Sequence, residues 1–282
     1  MISIGYNASM DFYQLAESAL RTSDVESKAT AISTLMRYCN TGEDRAEEGF
    51  VAKRFKTPSY AEFCRIVPPR ELPKRRRFDT TEGLARLLHS IVHIEYSAID
   101  LALDAVYRFP DMPTAFRHDW LEVAADEVRH FRMLRDILES LGYRYGDFPV
   151  HLGLFDAADH TAGDVLKRMA VVPRHYEATG LDVNPQIMRK LRPFATRLEV
   201  EEVLGALELI YREEIEHVRK GDYWFRYCCA ERGLEPASTF RRILDYYALR
   251  KGNRSVLNVP ARQAAGFSCS ELRDLGAESC ED

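Results

Sequence analysis

Two Glu-x-x-His pairs, Glu127 with His130 and Glu214 with His217, stand 87 positions apart, each inside a run with helical periodicity. Residues three apart on a helix share a face about one turn apart, so each pair can present a carboxylate oxygen and an imidazole nitrogen to one cation. A duplicated pair points to two metal ions. Two further glutamates join them by pattern. Glu95 interrupts the apolar stripe of Leu84, Leu88, Ile91, Val92, Ala98, Ile99 and Ala102, and Glu177 follows Leu166, Met169, Ala170 and Pro173 at helical spacing. The paired residues break apolar faces in the same way. Trp120, Val123 and Ala124 precede Glu127, and Phe131 and Leu134 follow His130. Leu207, Ile210 and Tyr211 precede Glu214, and Val218, Trp224 and Phe225 follow His217.

Burying four carboxylates without cations costs several kcal/mol per ion, so such groups pair, protonate or bind metal. Four carboxylates balance two divalent ions and leave coordination positions for oxygen or water. An oxygen-rich, partly nitrogen donor set suits iron or manganese, whereas a closed structural zinc site usually draws on thiolates. The expected ligands are therefore Glu95, Glu127, His130, Glu177, Glu214 and His217, around two iron ions, with manganese or a mixed Mn/Fe pair as variants. Asp126 and Glu213, each preceding a ligand glutamate, either hold the histidine of a facing helix or sit in solvated ion pairs. Tyr176 and Tyr211 are either phenols beside the metals or core packing. His93 lies about 200° around its helix from Glu95, which assigns it and His89 to supporting or surface roles.

The elements that must position these residues are helical. Period-3.6 patterning dominates the middle of the chain and alternating runs are scarce, which makes the class all-α. Residues 9 to 39 read as two short helices broken near Thr22-Ser23-Asp24, with Ser23 or Asp24 capping the second. Residues 40 to 80 are looser, since Pro58, Pro68, Pro69 and Pro73 forbid continuous helix. Asp79-Thr80-Thr81-Glu82 opens a helix over 81–108 that Phe109-Pro110 stops. A second, over 114–141 and closed by Gly142, carries the first pair. The glycine- and proline-bearing segment 143–161 reads as a long crossover. A third helix starts near Gly163 or Asp164, bends at Pro173, passes Glu177 and stops around Gly180 or soon after, before Asn184-Pro185, with a short helix at 185–192. A fourth, over 198–231 and closed by Gly233, carries the second pair. After Pro236 come a short helix and a polar tail whose last fifteen residues are expected to fray. The chain thus divides into an N-terminal helical extension with a Pro/basic linker (1–78), a metal-bearing four-helix bundle (79–235) and a C-terminal extension (236–282).

A 282-residue chain with 46% hydrophobic residues has ample core and is not a disordered polymer. Its net charge of -5 exerts no global pull toward nucleic acid or anionic membrane. The run Lys74-Arg75-Arg76-Arg77, with Arg70 before it, is the only feature that favours RNA. It lacks interleaved aromatics for base stacking, so a solvated loop is the stronger expectation. Six cysteines (Cys39, Cys64, Cys228, Cys229, Cys269, Cys280) show no C-x-x-C spacing and read as reduced thiols, Cys228 and Cys229 as packing residues. The N-terminus, Met1-Ile-Ser-Ile-Gly-Tyr, lacks a basic region followed by an apolar run, and no stretch of 18 apolar residues occurs. A cytoplasmic protein with no membrane partner is expected.

The motifs His93-Ile94-Glu95, Asp119-Trp120, Asp126-Glu127-Val128-Arg129-His130-Phe131, Tyr145-Gly146-Asp147, Val172-Pro173-Arg174, Glu177-Ala178-Thr179-Gly180-Leu181-Asp182 and Glu214-Ile215-Glu216-His217-Val218 resemble an uncharacterised bacterial ferritin-like family, known mainly as a domain of unknown function, over about residues 10 to 250. The resemblance implies a ferritin-like four-helix bundle with a di-metal site at the six residues named above. Inward Glu on two helices and Glu-x-x-His on the other two is the ligand arrangement of such bundles. By architecture the nearest functional analogue is the di-iron monooxygenase that hydroxylates a modified tRNA adenosine, a fold-level analogy. The leading expectation is a di-iron oxidase or oxygenase acting with O2 on an unidentified small molecule, its electron donor and oligomeric state unassigned. Ferroxidase or iron-handling activity is the alternative, and a metal-stabilised binding protein the third. The long extensions at both ends favour a substrate cover over a ferritin cage subunit.

Overall fold

Side-chain caps set the starts of the first three α-helices. Asp11 accepts from the Gln14 amide, Asp24 from Ser27 and Thr80 from Gly83, so three helices begin where a short polar side chain replaces the missing backbone acceptor. A computed structural model describes residues 10–74, 76–249 and 257–281. The reading of Met1 to Tyr6 and Arg75 of the basic run lie outside the described residues. Apart from one isolated bridge between Ile66 and Val150, every element in them is helical, so the class is all-α. None of these helices is long and apolar enough to cross a membrane. The chain divides into two compact units, one ending at Asp159 and the other beginning at His160.

In the first unit, α1 (Phe12–Arg21) and α2 (Val25–Thr41) precede the long α3 (Thr81–Arg108) and α4 (Thr114–Ser140), with α5 (Gly153–His160) last. α3 lies along α4, while α1 packs on α2 and α3, and α2 on α4. Gly142, at φ +83°, closes α4 in the left-handed conformation that glycine adopts without strain. α3 is buried nearly all round, with no exposed residue from Leu101 to Tyr107. Its polar positions are accordingly partnered. Lys28 Nζ donates to Asp100 at 2.6 Å and to the Ala19 carbonyl at 2.8 Å, and Ser59 supplies a further donor to Asp100.

The segment from 143 onward is more ordered than its composition indicates. Its second half forms α5, a departure from an irregular crossover. The first half is pinned to α3 through two histidines. His93 Nε2 faces the His151 carbonyl at 3.1 Å, an acceptor only, so it carries the proton and Nδ1 accepts from the Tyr145 hydroxyl at 2.8 Å. His89 Nε2 accepts from the Gly146 amide at 2.9 Å. Neither histidine belongs to the surface: both are buried and tie a loop to a helix.

The second unit contains α6 (Val165–Val171), a wide π-helical turn over Val172–Glu177, α7 (Ala178–Leu191), α8 (Leu198–Glu231), α9 (Pro236–Tyr246), α10 (Val259–Ala264) and α11 (Cys269–Asp274). The bend expected at Pro173 is this π turn. The stop expected before Pro185 is absent, because α7 runs through that proline. Pro185 has no N–H for the Leu181 carbonyl, and Asn258 Nδ2 donates to it at 3.1 Å, replacing the lost bond. The C-terminal tail also departs from the frayed expectation. Ser268 and Glu271 form a capping box on α11, and Cys269 is bonded to Cys280 across a Cα–Cα distance of 5.5 Å. Those two cysteines are therefore not reduced thiols, whereas Cys39, Cys64, Cys228 and Cys229 are free and buried.

The His89 contact makes stability depend on acid. Burial holds this imidazole down at about 4, below the ordinary histidine value, and Asp147 offsets that only in part. The unfolded chain therefore takes up a proton near pH 6.5 that the folded chain refuses until about pH 4, so stability is full above that range and falls as pH drops through it. From this group alone the loss between pH 7 and pH 5 is expected to be roughly 2 kcal/mol in urea unfolding. His89→Gln should flatten that part of the profile, and an unchanged slope in the variant would contradict the assignment.

Candidate metal centre

α3 and α4 bring three of the expected ligands together. Glu95, Glu127 and His130 are all buried, His130 with no exposed surface. His130 Nδ1 lies 3.4 Å from Glu95 Oε2 and 3.4 Å from Glu127 Oε2. One ligand atom from each of the three falls within 4.8 Å of the others. A separation of 3.4 Å is long for an N–H···O bond, which prefers about 2.7–3.2 Å. It matches donors that share an ion: oxygen and nitrogen atoms each about 2.0–2.2 Å from one cation sit about 3–3.5 Å apart. This buried Glu/His cluster can hold a metal ion.

Electrostatics agrees with that reading. Burial, then the neighbouring Glu127 charge, push Glu95 well above the usual carboxylate range. Burial works against a charged His130, yet the Glu127 and Glu95 oxygens outweigh it and push the imidazole up to about 11. Two carboxylates in a dry place gather whatever positive charge is at hand, and a divalent ion can replace the protons they would otherwise retain.

α8 positions the second pair, with His217 Nδ1 3.5 Å from Glu214 Oε1. His217 is buried, and the Glu214 side chain keeps 15% of its surface exposed. Glu177 is half-buried at the end of the π turn. That turn rests directly on α8 because position 221, one helical turn beyond His217, is glycine. A Cβ there would lie 2.2 Å from Pro173 Cβ and 2.5 Å from its Cγ. Gly221 therefore sets how close the segment bearing Glu177 comes to the helix bearing Glu214 and His217.

Of the residues expected around the ligands, Asp126 forms an ion pair with Arg129 on its own helix, half exposed. Tyr211 accepts a hydrogen bond from Asn258 Nδ2 at 2.7 Å. Tyr176 is half-buried with its ring edge-on to His175, and Glu213 is half-buried on α8. Sequence reasoning missed the residues that anchor the π turn. Arg174 is fully buried and pairs with Asp222 at 2.9 Å and Glu271 at 2.7 Å. Its guanidinium carbon lies 4.1–4.5 Å from the ring centres of Phe225, Phe240 and Phe267. The available signal was an arginine one position after Pro173, inside an otherwise apolar stretch.

The chain belongs to the family described as "Protein of unknown function (DUF455)", which matches residues 21–273. It is 38% identical over 278 residues to an uncharacterized protein of Haemophilus influenzae, covering 93% of this chain and 92% of that one. No solved structure matches it.

The Gly221 contact is open to direct measurement. Gly221→Ala should destabilise the protein by about 1–3 kcal/mol, because the proline ring cannot swing aside and overpacking outweighs the roughly 1 kcal/mol gained in helix propensity. Equal or higher stability in chemical denaturation would show that α8 and the π turn are not in this contact.

Proposed function

We propose that this member of a family of unknown function is a ferritin-like di-metal carboxylate protein, an oxidase or oxygenase that uses O2 on a small-molecule substrate. The two ions are assigned to the set Glu95, Glu127, His130, Glu177, Glu214 and His217. The observation that carries the proposal is the approach of His130 Nδ1 to two carboxylate oxygens at 3.4 Å, in a site closed to solvent. The recurrence of the same Glu-x-x-His unit at Glu214 and His217 supports a second ion. The donor set is oxygen and imidazole, which favours iron or manganese over structural zinc.

Bound iron or manganese would supply one- and two-electron reactivity toward O2. The chain's own residues do the rest. Glu95 and His130 give up protons as they become ligands, so binding strengthens as pH rises. Phe131, Val123 and Ala124 flank the α4 ligands along the helix and keep water out of their surroundings. Helical backbone on both sides of each ligand holds it to one direction, so little reorganisation accompanies binding.

The purified protein is expected to carry about two iron or manganese ions per chain, with losses in Glu127→Ala and in Glu214→Ala. Elemental analysis showing no stoichiometric metal, or metal unchanged in both variants, would sink the reading. Anaerobic loading with Fe(II) followed by O2 separates the functional classes. Catalytic O2 consumption with added reductant supports an oxidase or oxygenase, while uptake that stops when the added Fe(II) is spent indicates iron handling.

A further inference from the structure

α3 has a second chemically distinctive face, turned away from Glu95, and the metal reading does not use it. Leu72 and Pro73, the first half of α3 and residues 148–151 enclose a cavity of about 60 Å³. Its polar lining consists of Arg86, Ser90 and three histidines, and no acidic side chain lines it. Apolar walls come from Leu72, Pro73 and Phe148, among others. A pocket lined by one guanidinium and further N–H donors, with no carboxylate in its lining, suits an oxyanion.

Two of these lining side chains keep a donor that their own contacts leave over. Arg86 gives an NH2 hydrogen bond to Glu82 at 2.6 Å, but its Nε is buried with no acceptor. The Arg86 guanidinium carbon lies 5.7 Å from the centre of the Phe148 ring, which limits where the group can point. His89 spends Nε2 as an acceptor from Gly146, so the proton of the neutral ring is on Nδ1.

The backbone of Arg76 and Arg77, a few residues beyond the lining residue Pro73, is held in place. A Cβ at Gly83 would lie 2.0 Å from the Arg77 carbonyl oxygen and 2.6 Å from that of Arg76, so this backbone is pressed onto the first turn of α3. The Thr80 amide donates to the Arg77 carbonyl at 3.0 Å. Arg77 is paired with Asp79, whereas Lys74 and Arg76 are exposed and make no ion pair among the described residues. Lys74 and Arg76 follow the lining residue Pro73 within three positions, and two further cations on this stretch suit a doubly charged head better than a single carboxylate.

We propose that this cavity binds a small phosphate monoester with an apolar or aromatic body, the phosphate toward Arg86 and the Lys74/Arg76 stretch, the body against Leu72, Pro73 and Phe148. The site is separate from the metal ligands and stands or falls without them.

Calorimetric titration with phenyl phosphate tests this, with inorganic phosphate, benzoate and a short RNA oligonucleotide as the other probes. Phenyl phosphate should bind one to one, more tightly than inorganic phosphate or benzoate. Arg86→Gln should weaken it at least about tenfold, the expectation for one charge-assisted contact. The Lys74→Ala/Arg76→Ala double variant should weaken it less and reduce its salt dependence. Metal content should stay at the wild-type level in both variants, which keeps this test independent of the metal centre. Benzoate binding as well as phenyl phosphate, Arg86→Gln binding like wild type, or no heat of binding at millimolar phenyl phosphate would each overturn the proposal. So would RNA binding that phenyl phosphate does not displace and that Arg86→Gln leaves unchanged.

Discussion

Burying an acid inside a helical core requires countercharge, and much of this structure is organised by how that requirement is met. Asp100 has Lys28, Asp44 has Arg117, Asp182 has Arg262, and Asp222 and Glu271 have Arg174. In each case a cation from a distant stretch of chain is drawn to the carboxylate, and the pair fixes how two elements meet. Glu95 and Glu127 meet it differently. There two carboxylates share one imidazole, burial and mutual repulsion raise Glu95, and His130 is held protonated in compensation. A site that must recruit protons to balance itself is a site prepared for a cation.

The second unit shows how a backbone irregularity is held in place by distant contacts. Pro173 cannot take part in a regular helical ladder, and the chain widens into a π turn that ends at Glu177. Nothing local makes that turn stable. It is held by contact with α8 at Gly221 and by Arg174, whose charge is satisfied by Asp222 and Glu271 and whose flat faces are covered by three phenylalanines. The C-terminal segment contributes Glu271, Phe267 and the Cys269–Cys280 bond, so it buttresses the turn that ends at Glu177.

Much of this could be read from residue pattern. Caps and stops located α3, α4 and α8 to within a residue or two, because Thr80, Gly142 and Gly233 act on backbone groups a few positions away and their effect is local. The placing of Glu95, Glu127 and His130 on apolar stripes announced their burial, since helical period converts spacing into direction. The errors have the opposite character. The stop expected before Asn184-Pro185 reflects a lost hydrogen bond that is local, while its replacement, Asn258, lies 73 positions beyond Pro185 along the chain. For His89 and His93 one helix period leaves supporting and surface roles open, because it shows only which way they face, and the loop that buries them is supplied by residues 143–152.

The sequence by itself determined the helical class, the major helix boundaries and the inward direction of Glu95, Glu127, His130 and His217, all consequences of short-range chemistry. Tertiary structure decided which of those groups meet. Whether two carboxylates share an imidazole at 3.4 Å, whether an arginine is solvated or sealed between aromatic rings, and whether Cys269 finds Cys280 depend on packing between elements far apart in the chain. No periodicity encodes that distance, because it is set by the side chains that fill the space between helices rather than by the helices themselves.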